Sequence, residues 1–78
     1  MTANRVREIM EQDAVEYFDD NGITDAILEH IFDRVYFHIV DSRQEANRLA
    51  NIGRILGYSA MPMENTEKQG TYKVRFEW

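Results

Sequence analysis

Two histidines, two serines and a run of acids are the side chains of this sequence with chemistry to offer, and their spacing limits each of them. His30 follows Glu29 and precedes Asp33 by three positions, on the outer side of a short helical segment, where a solvated ring is its natural state. His38 stands next but one to Tyr36 in an apolar segment. No carboxylate has a spacing that forces it against that ring, so contact with a partner outranks proton transfer. Ser42 heads Ser-Arg-Gln-Glu, the pattern of a helix cap, and Ser59 has no histidine fixed beside it. The sequence lacks cysteine, hence any thiol nucleophile and the usual zinc spacings. Asp19-Asp20-Asn21-Gly22 has the flavour of a calcium loop, but aligning Gly22 with the loop's glycine puts Tyr17 at the first ligand position. Gly53 and Gly57 fall inside and at the end of a helix, whereas phosphates favour helix starts. The residues therefore read as non-catalytic, with no cofactor and no metal expected.

The elements that must position these side chains are few. The sequence has 78 residues, 44% hydrophobic and 29% charged, with a mean hydropathy of -0.55. That is the size of one domain, 1–78, whose core contributes only a few kcal/mol net, roughly 3–5. A partner or self-association would matter to it. The longest uncharged stretch, residues 55–63, is interrupted by glycine, serine and proline and is too short to span a bilayer, which needs about 20 apolar residues. No signal-type apolar run follows the N-terminus, so a cytoplasmic location and no membrane association are expected.

Charge divides the chain in two. Through Asp33, nine acids stand against Arg5 and Arg7; from Arg34 onward, seven bases stand against five acids, within a net charge of -5. Residues 1–33 read as an acidic helical hairpin and residues 34–78 as a βαββ unit. Thr2 can cap a first helix with Val6, Ile9, Met10, Asp13/Ala14, Tyr17 and Phe18 on one stripe, blunted in the middle by Asp13 and ended by Asn21-Gly22. Thr24 can cap a second, with Ile27, Leu28, Ile31 and Phe32 on its apolar face.

Val35-Tyr36-Phe37-His38-Ile39-Val40 is β-branched and aromatic throughout and reads as a strand. The capping box at Ser42 and Glu45 opens a helix with Ala46, Leu49, Ala50, Gly53 and Leu56 on one face, closed by Gly57. Residues 58–63 read as a second strand, in which Pro62 argues for a sheet edge. Residues 71–78 alternate cleanly, with Tyr72, Val74, Phe76 and Trp78 on one side and Thr71, Lys73, Arg75 and Glu77 on the other.

The expected fold class is α+β, in the order α-α-β-α-β-β. A strand, a crossover helix, a strand and a hairpin return match a truncated ferredoxin-like, split βαβ unit: a three-stranded antiparallel sheet of order 1-3-2 with its helices on one face. The open face is then expected to carry Tyr36, His38, Thr71, Lys73, Arg75 and Glu77, with Phe37 in the core. The first strand becomes a bare edge without lysine or proline to guard it.

The run VYFHIVDSRQEANRLANIGRILGYSAM followed by GTYKVRFEW resembles, over residues 35–78, the repeat unit of the RraB-type ribonuclease E inhibitors. That resemblance implies regulation of an RNA-degrading enzyme by binding rather than by catalysis. The same run is similar to SPOR domains, which bind glycan strands of peptidoglycan through a like sheet.

These readings converge on a protein-binding regulator or inhibitor of a larger enzyme, with a ribonuclease or another nucleic-acid-processing complex as target. The expected partner-binding residues are Tyr36, His38, Lys73 and Arg75 on the open face and Glu11, Glu16, Asp19 and Asp20 on the acidic hairpin. A homodimer through residues 35–40 is also expected. The alternative is a phage or mobile-element inhibitor, of anti-CRISPR or anti-restriction type, whose acidic hairpin imitates nucleic acid. A third reading is an RNA-binding sheet platform built on Lys73, Arg75, Tyr36 and His38, which a pI near 4.9 disfavours.

Overall fold

The computed structural model describes residues 3–78, with the side chains of Arg5 and of residue 9 onward. The Thr2 cap and the Val6 stripe position lie outside the described residues and side chains. The elements are α1 (Ala3–Asp20), α2 (Ile23–Glu29), β1 (Val35–Val40), α3 (Arg43–Ile55), β2 (Ser59–Glu64) and β3 (Tyr72–Glu77). The sheet is antiparallel in the order β1-β3-β2, as the split βαβ reading requires.

The helical hairpin departs from expectation in detail. Gly22 (φ 71) takes the left-handed turn itself and α2 begins at Ile23, with no side-chain cap. Thr24 Oγ1 instead donates to Asp19 Oδ1 at 2.7 Å. Because the helix starts early, its buried residues are Ile23 and Ile27, while Leu28 and Ile31 are exposed and Phe32 is 95% exposed. On α1 the stripe narrows to Ala14 and Phe18, with Tyr17 packed beside them and Ile9 and Met10 exposed. Arg34, the one non-glycine at positive φ (61) among the described residues, turns the chain from α2 into β1.

The crossover helix follows its sequence. Ser42 Oγ accepts the Glu45 N–H at 3.1 Å, and Ala46, Leu49, Ala50 and Gly53 face the sheet. The second arm of the capping box is not made: the Glu45 carboxylate accepts from the Tyr17 hydroxyl and so ties α1 to α3. The core gathers Phe18, Ile23, Ile27, Leu49, Val74 and Phe76, with Tyr72 and Trp78 packed against it. The inward set of β3 is the one its alternation predicts. All three helices lie on that side of the sheet, α3 over β2 and β3, α2 over β1, and α1 across α2 and α3.

Candidate functional site: a free strand edge and an open sheet face

Register decides which side chains reach the surface. Tyr36 lies opposite Phe76, His38 opposite Val74 and Val40 opposite Tyr72. Side chains directly across an antiparallel pair share a face, so Tyr36 and His38 stand on the helix-covered side with buried Phe76 and Val74. This corrects the expected open face. Tyr36 stacks on Phe76 with ring centroids 6.4 Å apart, and its ring centroid also lies 5.6 Å from that of His30. His30 is therefore half-buried rather than solvated, with Nδ1 2.8 Å from Ala26 O.

The residues that do face outward form three rows across the sheet: Val35, Glu77 and Ser59; Phe37, Arg75 and Met61; Ile39, Lys73 and Met63. Phe37 is 44% exposed, Ile39 57% and Met61 60%. Lys73 and Arg75 lie here as expected. Arg75 pairs with Glu77 two positions along, and Lys73 Nζ sits 5.0 Å from the centre of the Phe37 ring. No carboxylate among the described residues forms an ion pair with Lys73.

Glu11, Glu16, Asp19 and Asp20 are exposed on α1. That helix belongs to the opposite layer, so the structure separates the eight predicted residues into three groups: a buried-side pair, an open-face pair and an acidic helix. Arg43 and Arg54, a second pair with docking potential by spacing, are occupied. Arg43 lies over Tyr72 and reaches Glu64, and Arg54 grips Ala60 O and Asn51. Phe37 and Ile39 were missed because the weakly polar Tyr36 and His38, which share one side of an otherwise apolar and uncharged segment, pointed to the wrong face.

The two edges of the sheet are treated differently. The Asn65 N–H donates to Thr71 O at 3.0 Å, which marks residues 65 and 71 as a hydrogen-bonded pair. By the antiparallel alternation, the backbone groups of Ala60, Pro62 and Glu64 then point off the β2 edge. Arg54 caps Ala60 O with two donors at 3.2 and 2.9 Å, and Pro62 has no N–H to offer. On the other side the Trp78 N–H donates to Arg34 O at 3.2 Å. The same alternation sends the N–H and C=O groups of Val35, Phe37 and Ile39 off the β1 edge. Among the described residues no side chain or loop caps them.

Electrostatics adds one pH-sensitive pair. Burial lowers the His38 pKa from its usual range, and burial followed by the charge of Glu29 raises that of Tyr36. Tyr36 Oη lies 2.8 Å from His38 Nδ1, and with the ring held neutral the phenol O–H donates to it. A histidine whose pKa falls on folding binds fewer protons folded than unfolded, so stability drops as pH falls through the unfolded value of about 6.5. The urea midpoint is expected to fall between pH 7.5 and pH 5.5, with His38→Gln flattening that slope. An unchanged slope in His38→Gln would exclude the histidine as its origin.

Among the described residues no three His, Cys, Asp or Glu side chains gather in a manner that could hold a metal, and no described helix is long and apolar enough to cross a membrane. The cleft between α1 and α3, lined by Met10, Asp13, Tyr17, Arg48, Ile52 and Ile55, has a volume of about 230 Å³, below the roughly 300–1,000 Å³ of small-molecule pockets. Compared with protein-family models, curated proteins and solved structures, the chain matches none.

Proposed function

We propose that this chain is a non-catalytic protein-binding module that modulates a larger enzyme by adding β1 to a strand of its partner, and that it self-associates through the same edge when no partner is present. The observation that carries this reading is the contrast between the edges: β2 is blunted by Arg54 on Ala60 O and by Pro62, while β1 keeps three outward pairs of backbone groups beside exposed Phe37 and Ile39. An unguarded strand is a template for another chain. A nucleic-acid-processing target rests on the resemblance of residues 35–78 to the ribonuclease inhibitor unit.

A six-residue edge falls short of the roughly 800 Å² per partner that a standard stable interface buries. Self-association is therefore weak, and sedimentation velocity is expected to show dimers only at high micromolar concentration. Phe37→Lys puts a charge on the exposed side of the edge and is expected to give a folded monomer. Tyr36→Ala removes a ring packed on the core and is expected to lose about 2 kcal/mol. A strict monomer in the parent chain, or unfolding by Phe37→Lys, would sink the edge reading.

The acidic helix supports a second reading, mimicry of nucleic acid, because Glu11, Glu16, Asp19 and Asp20 are all exposed. Neutralising them to amides would abolish inhibition by a mimic and spare an edge binder. The RNA-platform reading loses Tyr36 and His38 as stacking surfaces and keeps Phe37 alone.

A further inference from the structure

The open face is a separate surface from the β1 edge, since pairing along β1 widens the sheet and leaves that face uncovered. Its chemistry sets it apart from the rest of a chain with net charge -5. Lys73 and Arg75 form a central ridge, with Phe37 and Ile39 as the wall on one side and Met61 and Met63 on the other. Arg34, Arg43 and Arg54 are engaged by Trp78 O, by Glu64 and by Ala60 O, and Arg48 lies over the Tyr17 ring. Lys73 lies over the Phe37 ring and pairs with no carboxylate among the described residues, which leaves its ammonium for an incoming anion.

Strand spacing of about 4.8 Å makes a three-stranded face about 10 Å wide, which is the diameter of one α-helix with its side chains, roughly 10–12 Å. The opposite face already carries a helix, α3, across the same strands. We infer that the open face binds an acidic amphipathic helix of a partner protein, with its apolar residues against Phe37, Ile39, Met61 and Met63 and a carboxylate on Lys73, Arg75 being held by Glu77.

Charge complementarity favours this occupant over a second copy or an RNA. In this chain α1 is acidic, but its apolar stripe of Ala14 and Phe18 is already buried against its own core, so α1 of a second copy has that stripe no longer free to offer. RNA would meet one ring, Phe37, and one unpaired cation, Lys73, too few for the stacking and phosphate contacts that a strand of nucleotides makes. The inference rests on the protein-binding reading and names its partner class, but it does not need β1 to pair.

The test is titration of the full chain with a labelled 18-residue helical peptide bearing leucine at i, i+3, i+4 and i+7 with flanking glutamates. A twin with lysine for glutamate and a uridine 10-mer are run beside it. The acidic peptide is expected to bind with a dissociation constant on the order of 100 µM, weakening as salt rises, and to shift the amide or methyl signals of Phe37, Met61, Met63 and Lys73. Lys73→Glu and Met61→Glu, both at solvent-facing positions, are each expected to keep the fold and weaken binding about tenfold.

Equal affinity for the lysine twin, preference for the uridine oligomer, shifts confined to α1, no binding at millimolar peptide, or peptide-free shifts at Lys73 and Met61 that grow with protein concentration would each overturn the inference. Sedimentation of the same samples reports on the β1 edge separately. Loss of peptide binding with self-association intact rejects the face alone, whereas a monomer that binds the peptide rejects the edge alone.

Discussion

Phe76→Ala is expected to leave the chain unfolded at room temperature. The Phe76 ring is fully buried and is the meeting point of the aromatic core, 5.4 Å from Phe18 and 6.2 Å from Tyr58 in edge contacts and 6.4 Å from Tyr36 in a stack. It therefore joins α1, β1 and the start of β2 to the central strand. Truncating a buried phenylalanine to alanine costs about 3–5 kcal/mol, which equals what a domain of this size has to lose. Phe76→Leu keeps most of the volume and is expected to stay folded with a loss of about 1.5 kcal/mol or less. Far-UV circular dichroism and amide dispersion check both. A cooperative transition for Phe76→Ala within a few degrees of the parent would mean that the sheet is held by something other than this cluster.

Gly53→Leu is expected to be almost as damaging, for the opposite reason. Gly53 faces the sheet from α3, and a Cβ built there would fall 2.5 and 2.9 Å from two carbons of the Phe76 ring and 3.3 Å from Ala60 Cβ. The ring cannot retreat, because Phe18 and Tyr36 already pack on it. In Gly53→Ala the overpacking costs about 1–3 kcal/mol, while the gain in helix propensity returns at most about 1. The net result is a loss, and leucine adds three more carbons to a closed space. Gly53→Ala combined with Phe76→Leu should recover part of that loss, since the two changes share one contact. Chemical denaturation of the four chains gives the coupling. Gly53→Ala more stable than the parent would show that α3 can lift off the sheet at little cost.

Gly53 illustrates how much could be read in advance. Its place on the inward face of α3, between Leu49 and Leu56, follows from helical spacing, but the reason for glycine does not. The close approach to Phe76 joins two elements far apart in sequence. The same holds for Arg54, whose spacing suggested a docking cation and whose guanidinium is folded back on Ala60 O. A side chain's periodicity tells which way it points from its own element, and says nothing of which acceptor the tertiary fold brings to it.

Residues 72–77 and residues 35–40 mark the boundary most sharply. In the third strand aromatic and aliphatic residues alternate with Lys73, Arg75 and Glu77, so only one face can be buried without stranding charge, and the inward set was legible from order alone. The capping serine, the turn glycines and the 1-3-2 topology were legible on the same kind of local ground. The first strand is uncharged throughout, apolar but for Tyr36 and His38, and those two share one side. Either face could have been buried at comparable cost. A slip of one residue exchanges the faces of a strand completely, and here the choice fell to the register with β3, set by the left-handed turn at Arg34 and its bonds to Trp78. The sequence by itself determined the elements, their order and the inward side of the strand that carries charge. The tertiary structure alone decided that Phe37 and Ile39 face solvent while Tyr36 and His38 are covered, because a strand with no charge alternation takes its orientation from its neighbour.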